Sequence, residues 1–291
     1  MFKGSIVAIV TPFKNGKFDK ESFKKLIEFQ IENGTDGIVP VGTTGESATL
    51  THDEHKEIIE YTLEVVNKRI PVIAGTGSNS TAEALDLTKF AKKAGCDGAL
   101  LITPYYNKPT QEGLYIHFKT IADEVDIPII LYNVPSRTGI SILPETVAKL
   151  AEIKNIVGIK EASGSLDQVS KIISLCPEDF VVLSGDDSMT LGIMAVGGKG
   201  VISVAANIMP AEVSRMVHDA LSGNWQQAQK MHIKLFNIFK TLFVETNPIP
   251  VKGCLYLMKK IQLELRMPLT PPSEETLKKL ETTLKQYGLI Q

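Results

Sequence analysis

Residues 128–162 read PIILYNVPSRTGISILPETVAKLAEIKNIVGIKEA, with an almost continuously apolar run at each end. The first run is PIILYNVP (128–135) and the second is IVGIKEA (156–162), and both are rich in β-branched residues. Runs of this kind are typical of parallel strands, which are buried on both faces. The stretch therefore predicts two parallel strands joined by a helical connection.

The same pattern recurs along the chain, and helical periodicity lies between the runs. Six more apolar runs are SIVAIVTP (5–12), DGIVPVG (36–42), PVIAGTG (71–77), DGALLITP (97–104), FVVLSGDD (180–187) and GVISVAAN (200–207). Strict alternation of strand and helix, repeated eight times, predicts an α/β fold of the closed (β/α)8 TIM-barrel type. A doubly wound open sheet is the alternative.

The strand pattern ends before residue 224. Helical patterns then cover 224–243, 249–265 and 273–287. We predict a barrel that carries the active site over residues 1–223 and a C-terminal helical extension over residues 224–291.

Composition excludes several classes of function. The net charge of −2 and the lack of a basic run argue against nucleic-acid binding. The apolar runs are too short to span a bilayer or to serve as a secretion signal. The three cysteines, Cys96, Cys176 and Cys254, form no CxxC pair, which argues against a disulfide framework or a zinc cluster. We predict a cytoplasmic protein with no membrane or nucleic-acid partner.

Polar residues are concentrated where the apolar runs end. They include Thr11, the segment GTTGE (42–46), Tyr105–Asn107, Tyr132, Asn133, Lys160, Glu161 and Gly185–Asp187. In an α/β barrel the carboxyl ends of the strands form the active-site face. The pattern therefore predicts an enzyme.

Lys160 is the most unusual of these residues because it ends an apolar strand. Strand alternation places it on the opposite face from Ile159, which predicts an inward-facing lysine. Removing an amine from water favours its neutral, nucleophilic form, and such a lysine can form an imine with a ketone. The alternative is a strand-end lysine whose amine reaches solvent.

Two tyrosines and an arginine also end predicted strands or follow them. Tyr106 and Tyr132 can transfer protons if another hydroxyl orients them, and Thr43 or Thr44 can supply that hydroxyl. Arg137 can bind a carboxylate with two hydrogen bonds. Packed aromatic rings and a surface arginine are the alternatives.

Six motifs together resemble the dihydrodipicolinate synthase family, within the pyruvate-dependent class I aldolases. They are GTTGES (42–47), PYYNKPTQEGLY (104–115), YNVPSRTG (132–139), GIKEASG (158–164), LSGDD (183–187) and NPIPVK (247–252). The resemblance runs essentially end to end. The GxxGE pattern and the lysine belong to the wider superfamily, whereas the full set is specific to this family.

The resemblance implies a lyase that condenses pyruvate with L-aspartate 4-semialdehyde, the committed step toward diaminopimelate and lysine. It implies an imine between pyruvate and Lys160, with Tyr132 as proton donor and acceptor. Thr43 and Tyr106 would complete the proton relay, with Tyr106 supplied by a neighbouring subunit. Substrate binding is assigned to Thr44, Arg137, Ile202 and Gly185. No metal or organic cofactor is expected, because the imine itself withdraws electrons.

The resemblance also implies a homotetramer, built as a dimer of dimers, with feedback inhibition by L-lysine. The positions that match the inhibitor site are Ser47, Ala48, His52, His55, Asn79, Glu83 and Tyr105. Glu83 also fits a helix capping box with Ser80, and His52 and His55 fit the first turn of a helix.

Two other functions are alternatives. The first is N-acetylneuraminate lyase or a keto-deoxy-sugar aldolase, which differ at the second threonine of GTTGE and at the arginine of YNVPSR. The second is a non-catalytic, ligand-binding barrel, which fold alone does not exclude. Such a barrel is expected to lack Lys160, Tyr132 or Thr44.

Overall fold

The structure, a computed structural model, describes residues 2–291. In chain order its strands are β1 (Gly4–Ala8), β2 (Phe13–Lys14), β3 (Lys17–Phe18), β4 (Gly37–Val39), β5 (Ile73–Gly75), β6 (Gly98–Ile102), β7 (Ile129–Asn133), β8 (Ile156–Glu161), β9 (Val181–Ser184) and β10 (Gly200–Ser203). The α-helices are α1 (Lys20–Glu32), α2 (His52–Val66), α3 (Thr81–Ala94), α4 (Gln111–Glu124), α5 (Pro135–Thr138), α6 (Pro144–Ala151), α7 (Leu166–Leu175), α8 (Thr190–Ala195), α9 (Pro210–Leu221), α10 (Trp225–Thr241), α11 (Ile249–Leu257) and α12 (Glu274–Gln286).

Eight of the strands form one parallel sheet in the order β4-β1-β10-β9-β8-β7-β6-β5. A parallel bridge between Ile38 and Val72 joins the two ends of that order, and the Ile38 amide donates to the Pro71 carbonyl at 2.9 Å. The sheet therefore closes into a barrel. The (β/α)8 prediction is confirmed, and the doubly wound alternative is wrong. The remaining strands, β2 and β3, pair as a small antiparallel hairpin.

Alternation along the strands separates two apolar layers. Ile130 and Tyr132 of β7 belong to the cluster inside the barrel, whereas Ile129 and Leu131 belong to the layer between the barrel and its helices. Burying both faces explains why the strands read as continuous apolar runs. The same alternation controls which side chains at the strand ends can reach the barrel mouth.

The C-terminal extension differs from its prediction in one helix. The helix expected over 249–265 ends at Leu257, because Lys259 adopts a left-handed backbone with φ of 59° and the amide of Lys260 turns back to the Leu255 carbonyl. The chain then returns to the barrel, where Glu264 accepts from the Gly16 amide at 2.6 Å. The domain boundary at residue 223 stays a prediction.

None of the helices within residues 2–291 is long and apolar enough to cross a bilayer.

Candidate active site

Lys160 lies inside the barrel, at the carboxyl end of β8. Its side chain is 6% exposed, and its Nζ lies 4.2 Å from the centre of the Tyr132 ring. The two residues are register partners on β8 and β7, while Ile159 packs in the outer layer. The inward orientation predicted from strand alternation is confirmed. The alternative of a strand-end lysine that extends into solvent is wrong, because the residue is buried.

Glu161 anchors the strand end on the opposite face. Its carboxylate is buried and accepts hydrogen bonds from Asn133 Nδ2 at 3.0 Å, Gln168 Nε2 at 3.1 Å and the Ser163 amide at 2.6 Å. Asn133 follows Tyr132 on β7, so these bonds tie the two strands together beside the Lys160–Tyr132 pair. The sequence marks Glu161 as a strand-end residue but does not predict this anchoring.

Because residue 185 is a glycine, it has no side chain to compete with Lys160 for space. A Cβ atom built at position 185 would lie 3.2 Å from Lys160 Cε and 2.6 Å from Ala162 Cβ. Contacts below 3.0 Å are not tolerated without movement of the neighbours. Gly185 therefore acts by leaving room beside Lys160.

We expect Gly185→Ala to lower kcat/KM by about 10-fold, because the added Cβ would displace Ala162, two residues after Lys160, and press on Lys160 Cε. The measurement is steady-state kinetics of the condensation that the resemblance implies, alongside circular dichroism. Gly192→Ala is the matched control, because a Cβ there meets Leu166 only at ordinary contact distances of 3.6 and 3.7 Å. Equal activity of Gly185→Ala and wild type would contradict this role.

Asp187 fixes the chain that follows Ile202. Its buried carboxylate accepts from the Val204 amide at 3.0 Å, the Ala205 amide at 2.9 Å and the Ser203 hydroxyl at 2.5 Å. Burial raises the pKa of the Asp187 carboxyl, and the three hydrogen bonds oppose that shift. Ile202 itself packs inside the barrel with Tyr132 and Leu183. Asp187 therefore holds the end of β10 beside the Lys160 layer, a role that sequence reasoning missed.

Thr44 and Arg137 are joined by one residue of the C-terminal extension. Asn247 Nδ2 donates to Thr44 Oγ1 at 3.0 Å, and Arg137 Nη2 donates to the Asn247 carbonyl at 3.0 Å. Thr44 is buried and Arg137 is exposed. Asn247 lies in the NPIPVK motif, but its contacts span more than one hundred residues and no local pattern predicts them.

A cavity of about 420 Å³ opens at this end of the barrel. It is lined by three predicted catalytic or substrate-binding residues, which are Thr43, Tyr132 and Arg137. It is also lined by six predicted inhibitor-site residues, which are Ser47, Ala48, His52, His55, Glu83 and Tyr105. Lys160, Thr44, Gly185 and Ile202 are not among the lining residues, although Lys160 Nζ lies 4.2 Å from the centre of the Tyr132 ring, which does line the cavity. The structure therefore places six of the seven predicted inhibitor residues and three of the eight predicted catalytic or substrate-binding residues around one cavity.

Tyr106 is the predicted catalytic residue that lies apart from the others. Its side chain is 90% exposed, and its backbone has φ of 72°. Within a single chain it does not line the cavity with Tyr132 and Thr43. This placement leaves the phenol available to another molecule, as a residue shared between subunits requires.

Three residues of the predicted inhibitor site, Glu83, His55 and Asn79, take part in hydrogen bonds. The Glu83 carboxylate accepts from the Ser78 hydroxyl at 2.7 Å, so the capping box expected between Ser80 and Glu83 forms only through the Ser80 side chain. His55 lies in the first turn of α2 and donates Nε2–H to the Gly75 carbonyl at 2.7 Å. Asn79 lies outside the cavity lining, and its carbonyl accepts from Asn107 Nδ2 at 2.9 Å.

No group of three His, Cys, Asp or Glu side chains in residues 2–291 is arranged to hold a metal ion.

We expect protein stability to fall as the pH drops from about 6.5 to about 4, partly because of His55. Burial lowers the pKa of His55 from 6.5 to about 4. In this range the unfolded chain therefore gains a proton at His55 while the folded chain does not. The free energy of unfolding falls by about 1 kcal/mol for each unit that the pH drops. His55→Gln, which can keep the hydrogen bond to Gly75, should show a shallower fall in urea unfolding at each pH. The exposed His52 gives the control, His52→Gln. An unchanged slope in His55→Gln would contradict the assignment.

A buried ion pair, also missed from sequence, lies beside the cavity at the barrel mouth. Lys252 Nζ contacts Glu46 Oε1 at 2.5 Å, and both side chains are at most 1% exposed. Lys252 also donates to the Thr11 carbonyl at 2.9 Å, and Glu46 Oε2 accepts from the Arg266 amide at 2.8 Å. Burial lowers the pKa of Lys252, and Glu46 opposes that shift. The pair connects the GTTGE loop to the C-terminal extension.

Comparison with known proteins places this geometry in a family. The chain matches the Dihydrodipicolinate synthetase family over residues 1–287. A protein of Syntrophus aciditrophicus (strain SB) named 4-hydroxy-tetrahydrodipicolinate synthase is 60% identical over 290 residues, which cover 100% of both chains. The crystal structure of dihydrodipicolinate synthase from Aquifex aeolicus is 54% identical, with a TM-score of 0.98 and 99% coverage of both chains.

Three further solved structures resemble the chain and differ in what they contain. The Acinetobacter baumannii dihydrodipicolinate synthase, described as chloride inhibited and complexed with pyruvate, is 50% identical with a TM-score of 0.98 and full coverage of both chains. The Cyanidioschyzon merolae enzyme with lysine bound is 43% identical with a TM-score of 0.96 and 99% coverage of both chains. A variant described as the first monomeric dihydrodipicolinate synthase is 49% identical with a TM-score of 0.98, and 99% of this chain and 98% of that one are covered.

Proposed function

Because the chain belongs to the dihydrodipicolinate synthetase family and is a lyase of that family, we propose that it condenses pyruvate with L-aspartate 4-semialdehyde through an imine on Lys160. The observation that carries the proposal is the buried Lys160 side chain beside the Tyr132 ring, inside a barrel whose mouth holds Thr43 and Arg137. A relative of the same fold is described with pyruvate bound. The product would serve diaminopimelate and lysine synthesis.

The chemistry begins with the side-chain amine of Lys160. Its nitrogen attacks the keto carbon of pyruvate, a C=N bond forms, and the keto oxygen leaves as water. The imine withdraws electrons, so the methyl group of pyruvate loses a proton and the imine becomes an enamine. The enamine carbon then attacks the aldehyde of the second substrate and forms the new C–C bond. The amino group of that substrate finally attacks the imine carbon and releases Lys160.

Tyr132, Thr43 and Tyr106 are proposed to move the protons that these steps require. Tyr132 is the register partner of Lys160, and Thr43 lines the same cavity. Thr44 and the backbone of Ile202 are proposed to bind pyruvate, beside the space that Gly185 leaves. Arg137 is proposed to bind the semialdehyde carboxylate through its guanidinium group. No metal or organic cofactor is proposed, since the imine supplies the electron sink.

The experiment is the intact mass of the protein after incubation with pyruvate and borohydride. One reduced pyruvate per chain, located by digestion to the peptide that contains Lys160, is the expected result. Lack of an adduct would refute the imine. Turnover with L-aspartate 4-semialdehyde, compared with sugar-derived aldehydes, separates the proposed reaction from that of N-acetylneuraminate lyase or a keto-deoxy-sugar aldolase. A barrel that only binds ligands would show turnover with neither.

A homotetramer is proposed because the predicted site is incomplete in one chain. Tyr106 is 90% exposed and needs a second chain to approach Tyr132. Helix α10 also exposes apolar side chains at Ile233 and Phe236, which suit a second contact between subunits. Sedimentation equilibrium tests this assembly, and a monomer that retains full activity would contradict the shared site. A cytoplasmic location stays a prediction.

We expect millimolar L-lysine to lower initial rates at subsaturating pyruvate. The predicted inhibitor residues line the cavity, and a relative is described with lysine bound. Glu83 offers a carboxylate for an ammonium group, so Glu83→Gln should raise the half-inhibitory lysine concentration about tenfold or more. Glu57→Gln, on the outer part of α2, is the control. Rates that lysine leaves unchanged in wild type would contradict the prediction.

A further inference from the structure

We propose that Asn247 is a positioning residue that sets the direction of the Thr44 hydroxyl and couples pyruvate binding to the Arg137 side. The inference rests on the proposed function, in which Thr44 binds pyruvate and Arg137 binds the semialdehyde. Asn247 lies 203 residues from Thr44 and 110 residues from Arg137 in the chain, yet its side chain contacts the first and its backbone contacts the second. Asn247 and Arg137 both line the cavity with Tyr132.

The direction of the hydrogen bond to Thr44 determines what Thr44 can offer. A hydroxyl has one proton and two lone pairs. Asn247 Nδ2 occupies one lone pair at 3.0 Å, and no other hydrogen bond of the Thr44 side chain is found in the described chain. The Thr44 proton is therefore left to donate, which suits a substrate carboxylate. The amide fixes the hydroxyl as a donor toward the substrate.

The surroundings of Asn247 argue against a merely structural amide. Asn247 is buried, but its Oδ1 has no hydrogen-bond partner within residues 2–291. An amide retained only to satisfy the core would have both of its polar atoms paired, since an unpaired buried acceptor is costly. The bond to Thr44 is the one polar contact that the side chain makes in the described structure. Its role therefore centres on Thr44.

Two variants test the side chain without changing the backbone carbonyl that Arg137 contacts. Asn247→Leu keeps the approximate shape of the side chain and removes the donor. We expect it to raise the KM for pyruvate about tenfold or more, as loss of a hydrogen bond to a charged group does, while the KM for the semialdehyde changes less. Asn247→Asp reverses the hydrogen bond, because an ionised carboxylate accepts the Thr44 proton.

A double-mutant cycle with Thr44→Val identifies the path of the effect. If Asn247 acts through Thr44, adding Asn247→Leu to Thr44→Val should raise the KM for pyruvate no further. A double mutant whose KM rises by the product of the two single effects would overturn the proposal, as would an Asn247→Leu enzyme with the wild-type KM.

The aspartate variant supplies a second readout if the leucine variant does not fold. Position 247 is buried, and burial raises the pKa of a carboxyl. A protonated carboxyl regains a donor and loses its charge, so the deficit of Asn247→Asp relative to wild type should shrink as the pH falls from about 8 to about 5. A deficit that is constant with pH would overturn the proposal. Asn224→Asp is the matched control, because Asn224 is exposed and its side chain makes no cap hydrogen bond to α10.

Failure of this inference can be told from failure of the proposed function. Wild-type protein that forms no borohydride-reducible pyruvate adduct refutes the proposed function. A wild-type adduct at Lys160, together with Asn247 variants that bind pyruvate normally, refutes only the role of Asn247.

Discussion

Lys160→Ala is expected to lower turnover by on the order of 10⁴-fold or more, because removal of the proposed covalent nucleophile leaves only the contribution of substrate binding. The variant should also form no adduct with pyruvate and borohydride. Its fold should persist, because the substitution removes one contact, between Lys160 and the Tyr132 ring, and leaves only a small cavity inside the barrel. Thermal melting, measured with and without pyruvate, checks that the variant is folded.

A second substitution separates nucleophilic from electrostatic action. Lys160→Arg keeps a positive charge but cannot form the imine, so it should be as inactive as the alanine variant. Lys154→Ala is the control, because Lys154 is an exposed lysine that precedes the same strand. Substantial turnover by Lys160→Arg would show that the positive charge, and not the imine, carries the reaction.

Lys252→Met is expected to destabilise the protein by about 3–5 kcal/mol, the cost of leaving one charge of a buried pair without its partner. Glu46 would then stay buried with the Arg266 amide as its remaining donor. A loss of this size is a large fraction of the stability of a typical protein. Urea unfolding at fixed protein concentration measures it, because assembly makes apparent stability depend on concentration.

The double variant Glu46→Leu/Lys252→Met should recover much of the lost stability, because both charges are removed together. Lys20→Met is the control, since Lys20 and Glu57 form an exposed pair whose loss should cost less than about 1 kcal/mol. A Lys252→Met protein as stable as the Lys20→Met protein would show that the buried pair contributes little.

Local pattern predicts the features that depend on neighbouring residues. The barrel follows from apolar runs and helical periods, and the inward orientation of Lys160 follows from its position one residue after Ile159. The capping box at the start of α2 likewise depends on two residues three positions apart, Thr51 and Glu54, and both of its hydrogen bonds are present. In each case the determining residues lie within a few positions of one another.

Features that join distant parts of the chain could not be predicted in this way. Glu46 and Lys252 are 206 residues apart, and each alone reads as an ordinary charged residue. The end of α11 at Leu257 depends on a segment that turns back to the barrel, so helical periodicity through residue 265 was misleading. The resemblance to a family supplied the role of Tyr106, because a residue that acts in another subunit leaves no pattern in its own chain.

The ion pair between Glu46 and Lys252 also orders events during protein synthesis. A ribosome adds about 5–20 residues per second, so Glu46 emerges tens of seconds or less before the lysine that neutralises it. A nascent chain that already holds every barrel strand, through Ser203, still lacks Lys252. In that chain the GTTGE loop can bury Glu46 only at the cost of an unpaired charge. The mouth of the barrel can therefore reach its final form only after the C-terminal extension has left the ribosome.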